Sequence, residues 1–277
     1  MRFWVSHAGG LVDASDARVS VLDHGFTVAD GVFETLKVTC GVAFALTRHI
    51  DRLERSAAAM ALPAPDRDAV FDAVRETVDA NAPMLGELAR LRITYTAGDA
   101  PLGSDRGGTG PTLVVAVSAM KPWPESAAVI TVPWPRNERS PLAGVKSTSY
   151  AENVLALARA HEHGAGEALM PDTQGRLCEG TGSNVFLVLD GRLITPTLAT
   201  GCLAGVTRDL VLEWSGAEEA DVTMSALQDA TEVFITSSTR DVQPVHRVDS
   251  LSLMVPGPVT ASVRAEFDRR ARADVDP

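Results

Sequence analysis

Along this chain of 277 residues, apolar and polar positions alternate with two different periods, and the switches between them mark out the predicted elements. Residues 2–6 and 11–13 flank Ala8-Gly9-Gly10 and predict a β-hairpin, because glycine gives a tight reversal the backbone freedom it needs. A second strand pair is predicted at 31–38 and 42–46, divided by Thr39-Cys40-Gly41. The period then lengthens. Ile50, Leu53, Ala57 and Met60 recur at helical spacing over 49–62, and Pro63 stops that helix. Val70, Val74 and Val78 repeat the pattern over 66–82, whereas 88–95 and 112–119 return to strand-like runs. The segment 97–111 between those runs is rich in Gly, Pro and Asp, and is long enough to suggest a lid or a partner contact.

Lys121-Pro122-Trp123-Pro124-Glu125 is the clearest linker, since its prolines break regular structure and stiffen the connection. It divides the chain into an N-terminal domain at 1–120, a linker at 121–127 and a C-terminal domain at 128–277. Beyond it the pattern predicts strands at 128–132, 167–170, 184–189, 192–195 and 232–236, with helices at 150–163, 206–214 and 258–272. The mixture is α+β, read as two α/β lobes with a cleft between them.

Composition narrows the class. Hydrophobic residues make up 45% and charged residues 22%, an ordinary globular balance. A net charge of −11 argues against a nucleic-acid binder, whose affinity rests on clustered Lys and Arg. The three cysteines, Cys40, Cys178 and Cys202, have no close pair and suggest neither a disulfide framework nor a zinc site. The opening residues lack the build of a signal peptide and no apolar run reaches a membrane span, so a cytoplasmic chain without membrane contact is expected.

Several clusters carry candidate chemistry. Ser149 and Glu152 form a capping-box pattern that predicts a helix beginning near Tyr150. Lys146 then lies on the short link before that helix, well placed to aim an amine into a cleft; a lysine there is otherwise a solvated charge. Glu179 opens an apolar strand, either as a carboxylate buried against a cation or as an ordinary loop residue. Gly180-Thr181-Gly182 is weak as a phosphate motif because a strand follows it. Gly205-Val206-Thr207 stands where an amphipathic helix begins, a place for an anion or simply a cap. Thr236-Ser237-Ser238-Thr239 offers hydroxyls to an anion or forms a polar turn. His161 and His163 are read as charges at a helix C-terminus, with no third ligand at metal spacing.

Taken in order, these clusters resemble the class-IV aminotransferases, the fold-type-IV enzymes of pyridoxal 5′-phosphate. The signature is carried by Glu179, Thr181, Asn184, Val185 and Phe186, followed by Leu193, Thr195, Leu203, Gly205, Val206 and Arg208. Val32-Phe33-Glu34-Thr35, His49-Ile50-Asp51-Arg52-Leu53, Gly144-Val145-Lys146 and Pro244-Val245-His246-Arg247-Val248-Asp249 are similar to the same family. The resemblance implies a small N-terminal lobe and a larger C-terminal lobe with pyridoxal phosphate at their interface. Lys146 would form the internal aldimine and later move the proton between Cα and C4′. Glu179 would keep the pyridine nitrogen protonated, Arg52 would clamp the phosphate, and Val206, Thr207 and Ser238 would add donors. Tyr150 either hydrogen-bonds the cofactor or is a half-buried aromatic. The family resemblance further implies a homodimer in which 97–111 completes the partner's substrate pocket.

The implied reaction is transfer of an amino group between a small amino acid, of the D series or a similar primary amine, and a 2-oxo acid. The alternative is release of pyruvate and 4-aminobenzoate from 4-amino-4-deoxychorismate. A scaffold that binds the cofactor without turnover is a further reading, against which Lys146 and Glu179 argue. The short chain and Phe33-Glu34-Thr35 look closer to the lyases and D-amino-acid transaminases than to the longer branched-chain enzymes. Many relatives carry a carboxylate-binding arginine near the position of Tyr95. Here the substrate-side candidates are Arg92, Tyr95, Ser237 and Thr239, with Lys37 and Arg106 as further cations.

Overall fold

The predicted opening hairpin forms as β1 (Arg2–Val5) and β2 (Gly10–Asp13), turned by Gly9 and Gly10 at φ of 74° and 142°. In this computed structural model, which describes residues 1–277, the chain divides into two compact units. The first comprises Met1–Pro122, Val145–Ser149 and Val275–Pro277; the second comprises Trp123–Gly144 and Tyr150–Asp274.

The first unit continues with α1 (His24–Thr27), β3 (Gly31–Thr39), β4 (Val42–Ala43), α2 (Leu46–Ala59), α3 (Arg67–Leu85), β5 (Leu88–Thr96) and β6 (Thr112–Ala119). The strands form an antiparallel sheet in the order β2-β1-β6-β5-β3-β4. Alternate residues of a strand face opposite sides. Val32, Leu36 and Val38 of β3 and Leu91, Ile93 and Tyr95 of β5 therefore share one face, where they pack with Ile50, Leu53, Val74 and Val78 of α2 and α3. The strand expected over 42–46 ends at Ala43, because Ala45 adopts a left-handed φ of 53° and α2 starts directly after it.

Ala45 cannot cap α2 with its side chain. Asp276 does so instead, accepting from Thr47 N at 2.8 Å and from Thr47 Oγ1 at 2.6 Å. A carboxylate there satisfies orphan N–H groups and complements the helix dipole. The segment 145–149 meets β3 through a single bridge between Ser147 and Val32: Phe33 N donates to Lys146 O at 3.0 Å and Thr148 N to Gly31 O at 2.8 Å.

The second unit contains β7 (Ala127–Thr131), α4 (Ala151–Glu162), β8 (Glu167–Pro171), β9 (Leu177–Gly180), β10 (Asn184–Leu189), β11 (Arg192–Thr195), α5 (Val206–Ser215), β12 (Glu218–Glu219), β13 (Glu232–Ser237), β14 (Asp241–Val248), β15 (Leu251–Ser252) and α6 (Pro258–Ala273). Its mixed sheet runs β12-β11-β10-β13-β14-β7-β8-β9, with β15 on β14. Leu169, Val185, Leu187, Ile235 and Val245 build its core. Phe186 and Phe234 stack with ring centroids 4.8 Å apart. The capping box expected from Ser149 and Glu152 does not form: α4 begins at Ala151 with Tyr150 as its cap residue and no side-chain cap bond. The pattern also fails to reveal β14, because Pro244 reads against an interior strand, yet β14 lies between β13 and β7. No helix is long and apolar enough to cross a membrane.

Candidate active site

His49, Arg52 and Ser56 fall at i, i+3 and i+7 of α2, hence on one face of the helix. All are buried, His49 at 1% and Arg52 at 5% exposure. Glu34 meets them from β3, where alternation turns it to the helix-covered side. Arg52 donates from Nε to Glu34 Oε1 at 2.8 Å and from Nη2 to Oε2 at 2.7 Å, the parallel fork that suits guanidinium and carboxylate. His49 Nδ1 lies 2.7 Å from the same Oε2. Burial alone would push the Glu34 carboxyl up, but the charge and hydrogen bonds of Arg52, helped by His49, outweigh it and hold the group down at about 2. Burial lowers the His49 pKa; Glu34 opposes that shift, and the charges of Arg52 and Lys146 add to it.

Lys146 is half-buried. Its backbone N–H reaches Ser56 Oγ at 3.4 Å, and its Nζ lies 4.5 Å from the centre of the Phe33 ring. The Arg92 guanidinium stands over that ring as well, at 3.9 Å, with Nε donating to Thr94 Oγ1 at 3.1 Å. Phe33 and Arg92 therefore occupy the sheet face opposite α2. Tyr95 is on the α2 side, buried in the core, and its hydroxyl donates to Pro63 O at 3.1 Å. Arg106 is committed to Asp30 by two bonds of 2.6 Å and to the carbonyls of Met60 and Ala61. Lys37 lies over the Phe44 ring.

In the second unit Glu179, on β9, is buried. Its Oε2 accepts from Leu203 N at 2.9 Å, and its Oε1 lies 3.2 Å from Arg136 Nε, an ion pair without the alignment of a hydrogen bond. Arg136 reaches on to Asn153 Oδ1 at 3.3 Å, and Asn153 Nδ2 donates to Thr181 O at 2.6 Å. Glu167 accepts from Thr181 N at 2.8 Å, from Thr181 Oγ1 and from Ser183 Oγ at 3.0 Å, so the turn after Glu179 is tied on both sides.

Val206 and Thr207 are the buried first residues of α5, whose cap residue Gly205 offers no side chain to the N–H groups behind it. A Cβ on Gly205 would meet Asn184 Oδ1 at 2.0 Å, so the close approach requires glycine. Uncapped N–H groups, a hydroxyl and the positive helix end suit a phosphate. Ser237 closes β13, and Ser238, Thr239 and Arg240 form the turn into β14; all four are half-buried. Tyr150 is half-buried at the start of α4.

The first unit offers an amine, and the second a carboxylate held beside a cation and an uncapped helix start with hydroxyls, each a kind of group that suits one part of pyridoxal phosphate. Sequence reasoning did not single out Arg136, which lies in the irregular run Trp134-Pro135-Arg136 with no periodicity to mark it. Nor did it give Glu34 a role, although a carboxylate at an inward position of an apolar strand face was a usable signal.

This layout is fold type IV. The branched-chain aminotransferase from Thermoproteus uzoniensis, solved with norvaline, superposes with a TM-score of 0.90 at 29% identity, covering 97% of this chain and 94% of that one. A family model described as class IV amino-transferase matches residues 31–248, and the chain belongs to that family. Class IV aminotransferases depend on pyridoxal 5′-phosphate. A putative branched-chain-amino-acid aminotransferase from Methanocaldococcus jannaschii is 35% identical over 271 residues, 94% of this chain and 93% of its own length. A D-alanine aminotransferase from Bacillus licheniformis is 32% identical over 266 residues, 92% and 93% of the two lengths. Chain length therefore does not set this protein apart from the branched-chain enzymes, as the sequence had suggested.

Proposed function

We propose that this chain is a pyridoxal-phosphate transaminase that passes an amino group between a small amino acid, of the D series or a similar primary amine, and a 2-oxo acid. The observation that carries the reading is Lys146: a half-buried amine fixed by its backbone to β3 and α2 and seated on the Phe33 ring. When bound, the cofactor supplies an electron sink for the substrate's Cα–H bond. Lys146 is the residue that holds the cofactor and moves the proton at Cα. Glu179, braced by Arg136 and Leu203 N, orients and protonates the pyridine nitrogen. Arg52, the N–H groups at Val206 and Thr207, and the Ser238 hydroxyl bind the phosphate, and Tyr150 borders the ring. Arg92, on the same sheet face as Phe33, is the cation for a substrate carboxylate, with Ser237 and Thr239 as hydroxyl donors.

The working form is a homodimer. Val21, Phe26 and Leu102 are 74%, 75% and 80% exposed, and the backbone joins their segments through Ala100 N to Leu22 O and His24 N to Gly98 O. An apolar patch of this kind is what a second copy would cover.

The test is an absorbance spectrum of wild type beside Lys146→Ala after addition of pyridoxal phosphate, then of D-alanine, L-leucine or 4-amino-4-deoxychorismate. A visible band that borohydride fixes to Lys146, and that an amino acid bleaches with release of its oxo acid, is the expected result. Release of pyruvate and 4-aminobenzoate without such bleaching would make the chain a lyase. No band in wild type would overturn the reading.

A further inference from the structure

We propose that Arg106 is the pin of segment 97–111: it locks the segment into one closed loop, whose exposed tip at 101–105 is presented in finished form to a second copy of this chain. The presentation rests on the homodimer reading above; the pin rests on the first unit alone.

The segment has no core to shape it. Residues 101–110 are exposed without a break, so burial of side chains does little to order them. Fixing a residue's backbone costs about 1–2 kcal/mol, which polar tethers must offset here. Glycines draw the neck of the loop together. A Cβ on Gly98 would run into Gly110 O and one on Gly107 into Asp99 O, so the two ends touch as in an Ω-loop. Thr109 Oγ1 donates to Asp99 O at 2.7 Å across the same neck. One side of the loop is stitched to the start of α1. His24 N donates to Gly98 O at 2.9 Å, Ala100 N donates to Leu22 O at 3.2 Å, and His24 Nε2 lies 3.0 Å from Pro101 O.

Beyond the tip, the side-chain tether is Arg106. It forks onto Asp30, from Nε to Oδ2 and from Nη2 to Oδ1, both at 2.6 Å. Nη1 also donates to Ala61 O at 2.7 Å and Nη2 to Met60 O at 2.8 Å. Those carbonyls follow the last turn of α2, where helical N–H partners run out and a cation is favoured. The fork is the stronger, charge-assisted kind, made to a carboxylate only 12% exposed. With Nε, Nη1 and Nη2 all donating within the first unit, Arg106 acts as a tether rather than as a cation for substrate. The tip it holds carries Leu102, 80% exposed, which belongs to the patch with Val21 and Phe26. A loop ordered before contact spares the association that ordering cost, so the pin should strengthen the dimer.

Trypsin reads the pin directly, because Arg106 is itself a cleavage residue and a side chain held in a fork cannot enter the protease. Asp30→Ala removes the fork and leaves Arg106 in place. The comparison is made with Val21→Asp present in both proteins, so that no contact between copies shields the loop. Cleavage after Arg106 should be about tenfold or more faster with Asp30→Ala, as local opening governs the cut. Equal rates would overturn the pin. Without Val21→Asp, Asp30→Ala and Arg106→Ala should each raise the dimer Kd about tenfold by sedimentation. Asp276→Ala, which loosens the far end of α2, should change neither readout; the same change there would make the effect a general loss of stability and overturn the inference. An unchanged Kd in a chain that does dimerise would overturn the presentation. A wild type that stays monomeric would sink the homodimer reading and the presentation with it, and the trypsin comparison would still judge the pin.

Discussion

The guanidinium of Arg240 lies 3.6 Å over the ring of Trp123, and so fastens the first residue of the second unit to the turn between β13 and β14. The contact is reinforced all round. Arg240 Nη1 donates to Gln243 Oε1 at 2.6 Å and Nη2 to Gly166 O at 3.1 Å, with Glu167 at 3.8 Å, and Gln243 Nε2 donates to Pro124 O at 2.7 Å. Trp123 is therefore held by the arginine that ends the Ser238–Arg240 turn, and Pro124 by Gln243, to which that arginine donates. Arg240→Ala removes a cation–π contact and leaves buried acceptors unpaired, and should cost about 2 kcal/mol in chemical unfolding. It should also change the tryptophan emission of the native protein. The emission change should be absent in a Trp123→Phe background; if it persists there, the contact is not what the spectrum reports.

Stability should fall on acidification through the Glu34 cluster. Glu34 titrates near 4.5 when unfolded and at about 2 when folded. Between those values the unfolded chain binds the extra proton, so the stabilisation is whole above 4.5 and is lost as the pH drops through 2. The amount is on the order of 3 kcal/mol. His49 works in the same direction at higher pH, because its folded pKa lies below the unfolded value of 6.5 and the unfolded chain protonates first. Urea titrations across pH 2–5 should show a shallower pH dependence in Glu34→Gln than in wild type, and parallel curves would refute the assignment.

Tyr95→Phe separates position from sequence neighbourhood. The hydroxyl bonds Pro63 O on the helix-covered side of the sheet. Its loss should lower stability by about 1 kcal/mol and leave KM for amino and oxo acids unchanged. Arg92→Ala, on the opposite face, should raise KM for the carboxylate substrate and barely move the melting temperature. A KM effect in the tyrosine variant would reverse the assignment of the two faces.

Asp276→Ala should shorten the life of α2 rather than of the whole fold. The side chain supplies the cap that Ala45 cannot. The variant should lose about 1 kcal/mol, and hydrogen exchange should speed up at Thr47 and Arg48 before it does in β3 or β5.

Phe186→Ala tests the second core. With Phe234 stacked at 4.8 Å and both rings fully buried, the substitution should cost about 3–5 kcal/mol by equilibrium unfolding.

Much of this was legible along the chain, for physical reasons that differ between elements. β3 and β5 are read from their alternation because one face of each is packed, and α3 from valines four apart for the same reason. β14 was hidden by Pro244, since periodicity cannot tell where neighbouring strands will supply the pairing. The capping box at Ser149 and Glu152 was a false signal because α4 starts one residue later than that box requires, with Tyr150 as its cap residue. Lys146, Glu179 and Arg52 stood out as an ordered set. Arg136 and Asp276 did not, because each acts on a residue far away in sequence, and no local pattern records such a meeting.

The ownership of residues 145–149 has a consequence for anyone who would recombine this chain with its relatives. Lys146 and Thr148 bond the backbone of β3 around the bridge at Ser147, and the segment is grouped with the first unit, although both its flanks belong to the second. A chimera spliced once, at Pro122, would take its Lys146 segment from one parent and the β3 backbone and Ser56 that seat it from the other. Crossovers that respect the fold need a matched cassette, with 145–149 and 275–277 travelling together with 1–122.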